Sequence, residues 1–84
     1  MFLHVDQVTH LKDFTLRIEF SDGSVKDVDL SEELDGEIFE PLRDPEFFSQ
    51  VAVNPATGTI EWPNGADLAP EFLQEKGTNA EQVA

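Results

Sequence analysis

Cysteine is absent from the chain. That excludes a disulfide framework, a thiolate nucleophile and a cysteine-based zinc site, and it fits a reducing compartment. Positive charge is scarce: 5 Lys plus Arg stand against 18 Asp plus Glu, a formal net charge of -13. Lys12, Arg17, Lys26, Arg43 and Lys76 are scattered and form no patch. Nucleic-acid binding requires neutralising phosphates with cations, so direct binding of DNA or RNA is not expected, nor is docking on anionic lipid. No apolar run approaches the roughly 20 residues that span a bilayer. The opening Met1-Phe2-Leu3-His4-Val5-Asp6 lacks the basic and apolar regions of a signal peptide. A soluble, cytoplasmic protein is expected.

What is present is patterned. Phe14, Leu16, Ile18 and Phe20 alternate with Thr15, Arg17 and Glu19, the period of a half-buried strand. Asp22-Gly23 is a preferred two-residue hairpin turn, and residues 25–30 return with Val28 and Leu30 inward. Residues 3–11 favour a strand before them, with Lys12-Asp13 as the turn. Ser31 can cap a helical turn through Leu34, which Gly36 breaks. Phe39 and Leu42, three apart, share one face of a short helical turn. Asp44-Pro45-Glu46 reads as an N-cap, a proline in the first turn and an acid beside it, opening a helix over 45–49.

A second hairpin follows. Val51 and Val53 face one way, residues 54–58 turn, and Ile60 and Trp62 return on one face. Pro63 stops the strand and Asn64-Gly65 turns the chain. Pro70 opens a helix to about Lys76, with Gly77 as its stop. The reading is a small α+β domain over 1–76, followed by a flexible tail over 77–84. Its antiparallel sheet has about five strands, a three-strand meander plus a second hairpin, with short helices packed beside it. At 84 residues one domain is expected, with a thin stability margin and Phe20, Phe48 and Trp62 as core anchors.

No chemistry stands out. His4 and His10 lie six positions apart, about 20 Å on a regular strand, and do not chelate one ion together. His4 and Asp6 can meet, but two ligands make no zinc site. Seven carboxylates crowd residues 27–40: Asp27, Asp29, Glu32, Glu33, Asp35, Glu37 and Glu40. Their spacing around Gly36 does not match a calcium loop. Asp27, Asp29, Glu32, Glu33, Glu37 and Glu40 are therefore candidate partner-binding residues rather than metal ligands. Asp67, between a turn and a helix, is expected to accept backbone N–H bonds as a local cap. There is no phosphate loop, dinucleotide fingerprint or nucleophile elbow, so neither a catalytic residue nor a cofactor is expected.

Four stretches together carry a resemblance: FSDG at 20–23, VDL at 28–30, IFEPLRDPEFF at 38–48 and IEWPNGADLAPEFL at 60–73. In this order and spacing the chain resembles a compact member of the bacterial domain-of-unknown-function family 2442. Asp22, Gly23, Asp44, Trp62, Asn64, Gly65 and Asp67 are the structural signature of that resemblance. It implies an α+β fold with an antiparallel sheet and brings no catalytic residues. Some relatives carry a following helix-turn-helix DNA-binding domain. About twenty residues follow Trp62 here, too few for such a module, so that function is not carried over. Others look like the antitoxin half of a toxin–antitoxin pair, beside a small basic protein. The expectation is a non-enzymatic, acidic module that masks a basic protein partner. The alternative is a domain that self-associates, as a homodimer, through an exposed strand edge.

Overall fold

The computed structural model of the chain describes residues 2–79. Three strands form an antiparallel meander: β1 (Val5–Lys12), β2 (Thr15–Phe20) and β3 (Val25–Asp29). The period-two pattern of β2 decides its faces: Leu16, Ile18 and Phe20 are buried, while Arg17 and Glu19 are exposed. Register continues the choice, because Leu16 pairs with Val28 and paired residues share a face. The β2–β3 turn is where Asp-Gly requires it. Gly23 has φ +90, and the Asp22 carboxylate accepts from the Ser24 amide at 2.9 Å and its hydroxyl at 2.7 Å. The first turn falls one residue later than expected, on Asp13 and Phe14, with Asp13 at φ 44. β1 carries register shifts between Val5 and Gln7 and between His10 and Lys12, two bulges on an edge strand.

The connection after β3 is less helical than its sequence suggests. Residues 31–33 form a turn rather than a helix. Ser31 does not act as a cap there: its amide donates to the Asp29 carboxylate at 2.9 Å, and the Glu33 amide donates to Leu30 O. The strand's own last acid thus closes a turn onto the Ser31 amide. A 3-10 helix spans Glu40–Arg43 and buries Leu42. Asp44 then caps α1 (Pro45–Phe48), its carboxylate accepting from the Glu46 amide at 3.1 Å. That short helix buries Phe48 in the core, where its ring meets Phe14, His10 and Trp62 at centroid distances of 5.2, 5.6 and 5.5 Å.

β4 (Ala52–Asn54) and β5 (Thr59–Glu61) form a separate two-stranded sheet. It is tied to the meander where the Val5 amide donates to Gly58 O at 2.8 Å. Trp62, just past β5, is 1% exposed and donates from Nε1 to Phe48 O at 2.9 Å. One hydrogen bond therefore joins the second hairpin to α1. Helix α2 (Pro70–Lys76) lays Leu73 into the core.

The end of the described chain departs from the expected tail. Thr78–Asn79 is a strand, β6, completing a four-stranded sheet in the order β1-β2-β3-β6. Gly77 makes this geometry available by close approach. A Cβ there would lie 2.8 Å from Lys26 Cβ and 2.9 Å from Val28 Cγ2. A propensity reading of two polar residues cannot see that pairing, because it is set by contact with β3 across some fifty positions of sequence. The remainder of the expected tail, 80–84, lies outside the described residues.

Candidate functional site

The outer face of the meander is built from the polar half of each strand. Register aligns Thr9, Arg17, Asp27 and Thr78 in one row across four strands. Within it, Arg17 grips Asp27 through two bonds, Nε to Oδ1 at 2.8 Å and NH2 to Oδ2 at 3.1 Å. This fork is the strongest ion-pair geometry in the described protein. It pulls the Asp27 carboxyl below the ordinary range and raises the Arg17 guanidinium above its own.

Asp27, Asp29 and Glu32 line one shallow depression with Ser31, Lys76 and Thr78. Glu33 reaches it through Lys76, whose Nζ lies 3.3 Å from Glu33 Oε2. Four of the six acids selected from sequence therefore gather around the end of α2. Glu37 and Glu40 are exposed on the stretch that leads into the 3-10 helix and do not line the depression. The Asp29 carboxyl is held low chiefly by hydrogen bonds from Ser31, with the charges of Lys76 and Lys12 adding to them. Lys76 and Thr78 were not legible as part of this surface. Lys76 is placed by the end of α2, and Thr78 by β6.

The signature residues divide into turns, caps and core. Asp22 and Gly23 make the β2–β3 turn. Ser24 first, then Gln74 at 2.8 Å, hold the Asp22 carboxyl below its usual range. That bond also links the turn to α2. Asn64 accepts from the Ala66 amide at 3.1 Å through Oδ1 and donates through Nδ2 to Ile38 O at 2.8 Å. Gly65, at φ +90, completes the same turn. The capping role expected of Asp67 belongs to Asn64 instead. Asp67 is exposed, its backbone bridges to Glu61, and α2 begins at Pro70 with Ala69 at its N-cap and no side-chain cap.

His4 and His10 serve separate contacts. His4 Nε2 lies 3.2 Å from Asp6 Oδ1, beside a surface depression lined by Val53, Pro55 and Ala56. His10 Nε2 lies 2.8 Å from Asp13 O in the first turn. Among the described residues, no three His, Cys, Asp or Glu side chains converge as metal ligands would. No helix of the described residues is long and apolar enough to cross a membrane.

Residues 5–79 match the family described as "Protein of unknown function (DUF2442)". The chain belongs to the DUF2442 family. The meander, the second hairpin and both α-helices all lie inside the matched span. No curated protein matches the chain. Among solved structures it is similar to the crystal structure of "Putative DNA Binding Protein NE0471" from Nitrosomonas europaea ATCC 19718, with 31% identity and a TM-score of 0.67. The match covers 75% of this chain and 41% of that one, so the similarity spans about two-fifths of the neighbour's length.

Proposed function

We propose that this DUF2442 domain is a non-enzymatic, cytoplasmic binding module, antitoxin-like in its action, that masks a small basic protein. The observation that carries this reading is the spending of the protein's own cations. Arg17, Arg43 and Lys76 are each held by an internal carboxylate. Lys26 donates to Asn79 at 2.6 Å. Most acids keep no such partner, so the surface presents carboxylates with little positive charge to offset them. Complementary charge of this kind speeds encounter and selects a partner.

The solved neighbour's description brings a second reading, DNA binding. Charge opposes it for this domain, because phosphate neutralisation needs cations that are few, and four of the five, all but Lys12, are engaged within the chain. Self-association through the edge of β1 is a third reading. The two bulges in that strand and its exposed Asp6 and Lys12 are features that discourage edge pairing.

The test is co-purification of the full chain with any small basic protein encoded beside its gene. Association rate is then measured against ionic strength for the wild type and for the triple variant Glu32→Lys, Glu33→Lys, Glu37→Lys. A slower rate and a flatter salt dependence in the variant support the reading. Equal rates and equal slopes overturn it and leave the acidity to solubility alone.

A further inference from the structure

We infer that Asn64 is a site of spontaneous covalent modification: opening of its turn lets the Asn64-Gly65 pair deamidate, and the product unlatches the segment around Ile38 from the second hairpin. The inference is independent of the docking reading. It begins with the sequence. In an Asn-Gly pair the second residue has no side chain to crowd its own backbone nitrogen, so that nitrogen can reach the asparagine Cγ. This turn cannot shed the liability. Gly65 sits at φ +90, a conformation that residues with a Cβ rarely adopt.

Hydrogen bonds hold the reaction off. The nucleophile is the Gly65 backbone nitrogen, and its N–H donates to Trp62 O at 2.9 Å. The electrophile is the Asn64 side-chain amide, fixed at both ends. Its Oδ1 accepts from the Ala66 amide at 3.1 Å, and its Nδ2 donates to Ile38 O at 2.8 Å. The Trp62 amide donates to Ala66 O at 2.9 Å and closes the turn. Attack needs the Gly65 nitrogen free of its proton and the Asn64 side chain turned back over it. The reaction therefore waits for the turn to open, a local event that leaves the rest of the domain folded.

Once the turn is open, water is the one co-reactant. Solvent base takes the Gly65 N–H proton, and the nitrogen bonds to Asn64 Cγ. The side-chain nitrogen regains a proton and leaves as ammonia. One water then opens the five-membered succinimide at either carbonyl. Position 64 becomes an aspartate or, where the chain now runs through the former side chain, an isoaspartate. Nothing is oxidised or reduced; one water is consumed and one ammonia released.

The product loses the latch. Ile38 O takes its donor from Asn64, where Pro41, three residues on, has no N–H to offer. A carboxylate only accepts, so it meets Ile38 O as acceptor against acceptor. Glu37 and Glu40 flank Ile38 in sequence and add like charge. The Ile38 side chain is exposed and does not pin the segment. In the aspartate product the bond from the Ala66 amide survives, so the loss falls on the connection over 36–40 rather than on the core.

The test incubates the full chain in mildly alkaline buffer at urea concentrations below and above its unfolding transition. Peptide mapping by mass spectrometry reads aspartate and isoaspartate at position 64. The native chain should deamidate about tenfold or more slowly than the unfolded chain, because only the open fraction reacts. Below the transition its rate should rise with urea less steeply than global unfolding followed by circular dichroism. Hydrogen exchange then compares wild type with Asn64→Asp. The Phe39 and Glu40 amides, which donate to Gly36 O, should lose most of their protection in the variant while the amides of β2 keep theirs. Equal deamidation of native and unfolded chains overturns the protection, and a rate that tracks global unfolding overturns the local opening. Protection retained at Phe39 and Glu40 overturns the latch. Protection lost throughout the variant overturns it too, by making Asn64 a support of the whole fold.

Discussion

At the scale of single residues, one indole and one amide hold this domain's connections in place. Trp62 fills the core and satisfies Phe48 O, so its replacement should be costly in two separable ways. Trp62→Ala should lose about 3–5 kcal/mol, and Trp62→Phe only about 0.5–1.5 kcal/mol for the lost hydrogen bond, because Phe48 O also accepts from the Val51 amide at 3.3 Å. Urea unfolding followed by far-UV circular dichroism reads both. A Trp62→Ala protein as stable as wild type would contradict the burial. Asn64 and Asp67 give a sharper contrast, because sequence favoured the wrong one. Asn64→Ala should cost about 1–2 kcal/mol, with two hydrogen bonds removed. Asp67→Ala should stay within about 0.5 kcal/mol, as expected for an exposed side chain without such a feature. Equal losses in the two variants would restore the capping role to Asp67.

Among the elements, legibility follows how local the cause is. The β2 alternation, the Asp22-Gly23 turn, the Asp44 cap and the span of α2 are each decided within a few residues, and each was readable. The 31–33 turn was not, because the Asp29 carboxylate at the end of the preceding strand closes it onto the Ser31 amide. β6 was not, because Gly77 and β3 decide it from far away. The acidic cluster was readable as composition but not as a surface. Only the fold separates Glu37 and Glu40 from the acids beside Lys76. One pair of elements also carries a pH dependence. Arg17 bonds Asp27 across β2 and β3 and depresses its folded-state pKa. The stabilisation is therefore present above the unfolded-state value of about 3.9 and is lost as pH falls through the lower folded-state value. Asp27→Asn should lose stability at pH 7 and show a shallower acid limb than wild type. Thermal unfolding across roughly pH 2–7, the range in which Asp titrates, tests this. Parallel limbs would place the acid sensitivity in other groups, such as Asp22 or Asp29.

For the whole molecule, charge sets what the DUF2442 domain can approach. The net charge of -13 is spread over a domain with a radius of gyration of 12.1 Å. At physiological ionic strength the Debye length is about 8 Å, so a partner senses this field only near the surface. Repulsion over that short range still acts on a polyanion, which must bring its phosphates into contact. Internal pairing makes the opposition stronger, since freeing Arg17 or Arg43 for a phosphate would leave Asp27 or Asp35 facing it. The isolated domain is therefore expected to give no mobility shift with duplex DNA or with RNA at micromolar protein and physiological salt. Lowering the salt should not rescue binding, because less screening strengthens repulsion here, whereas it strengthens attraction for a cationic binder. A shift that grows as salt falls would show a cationic surface at work. It would bring the function named for the neighbouring structure to this domain in place of docking on a basic protein.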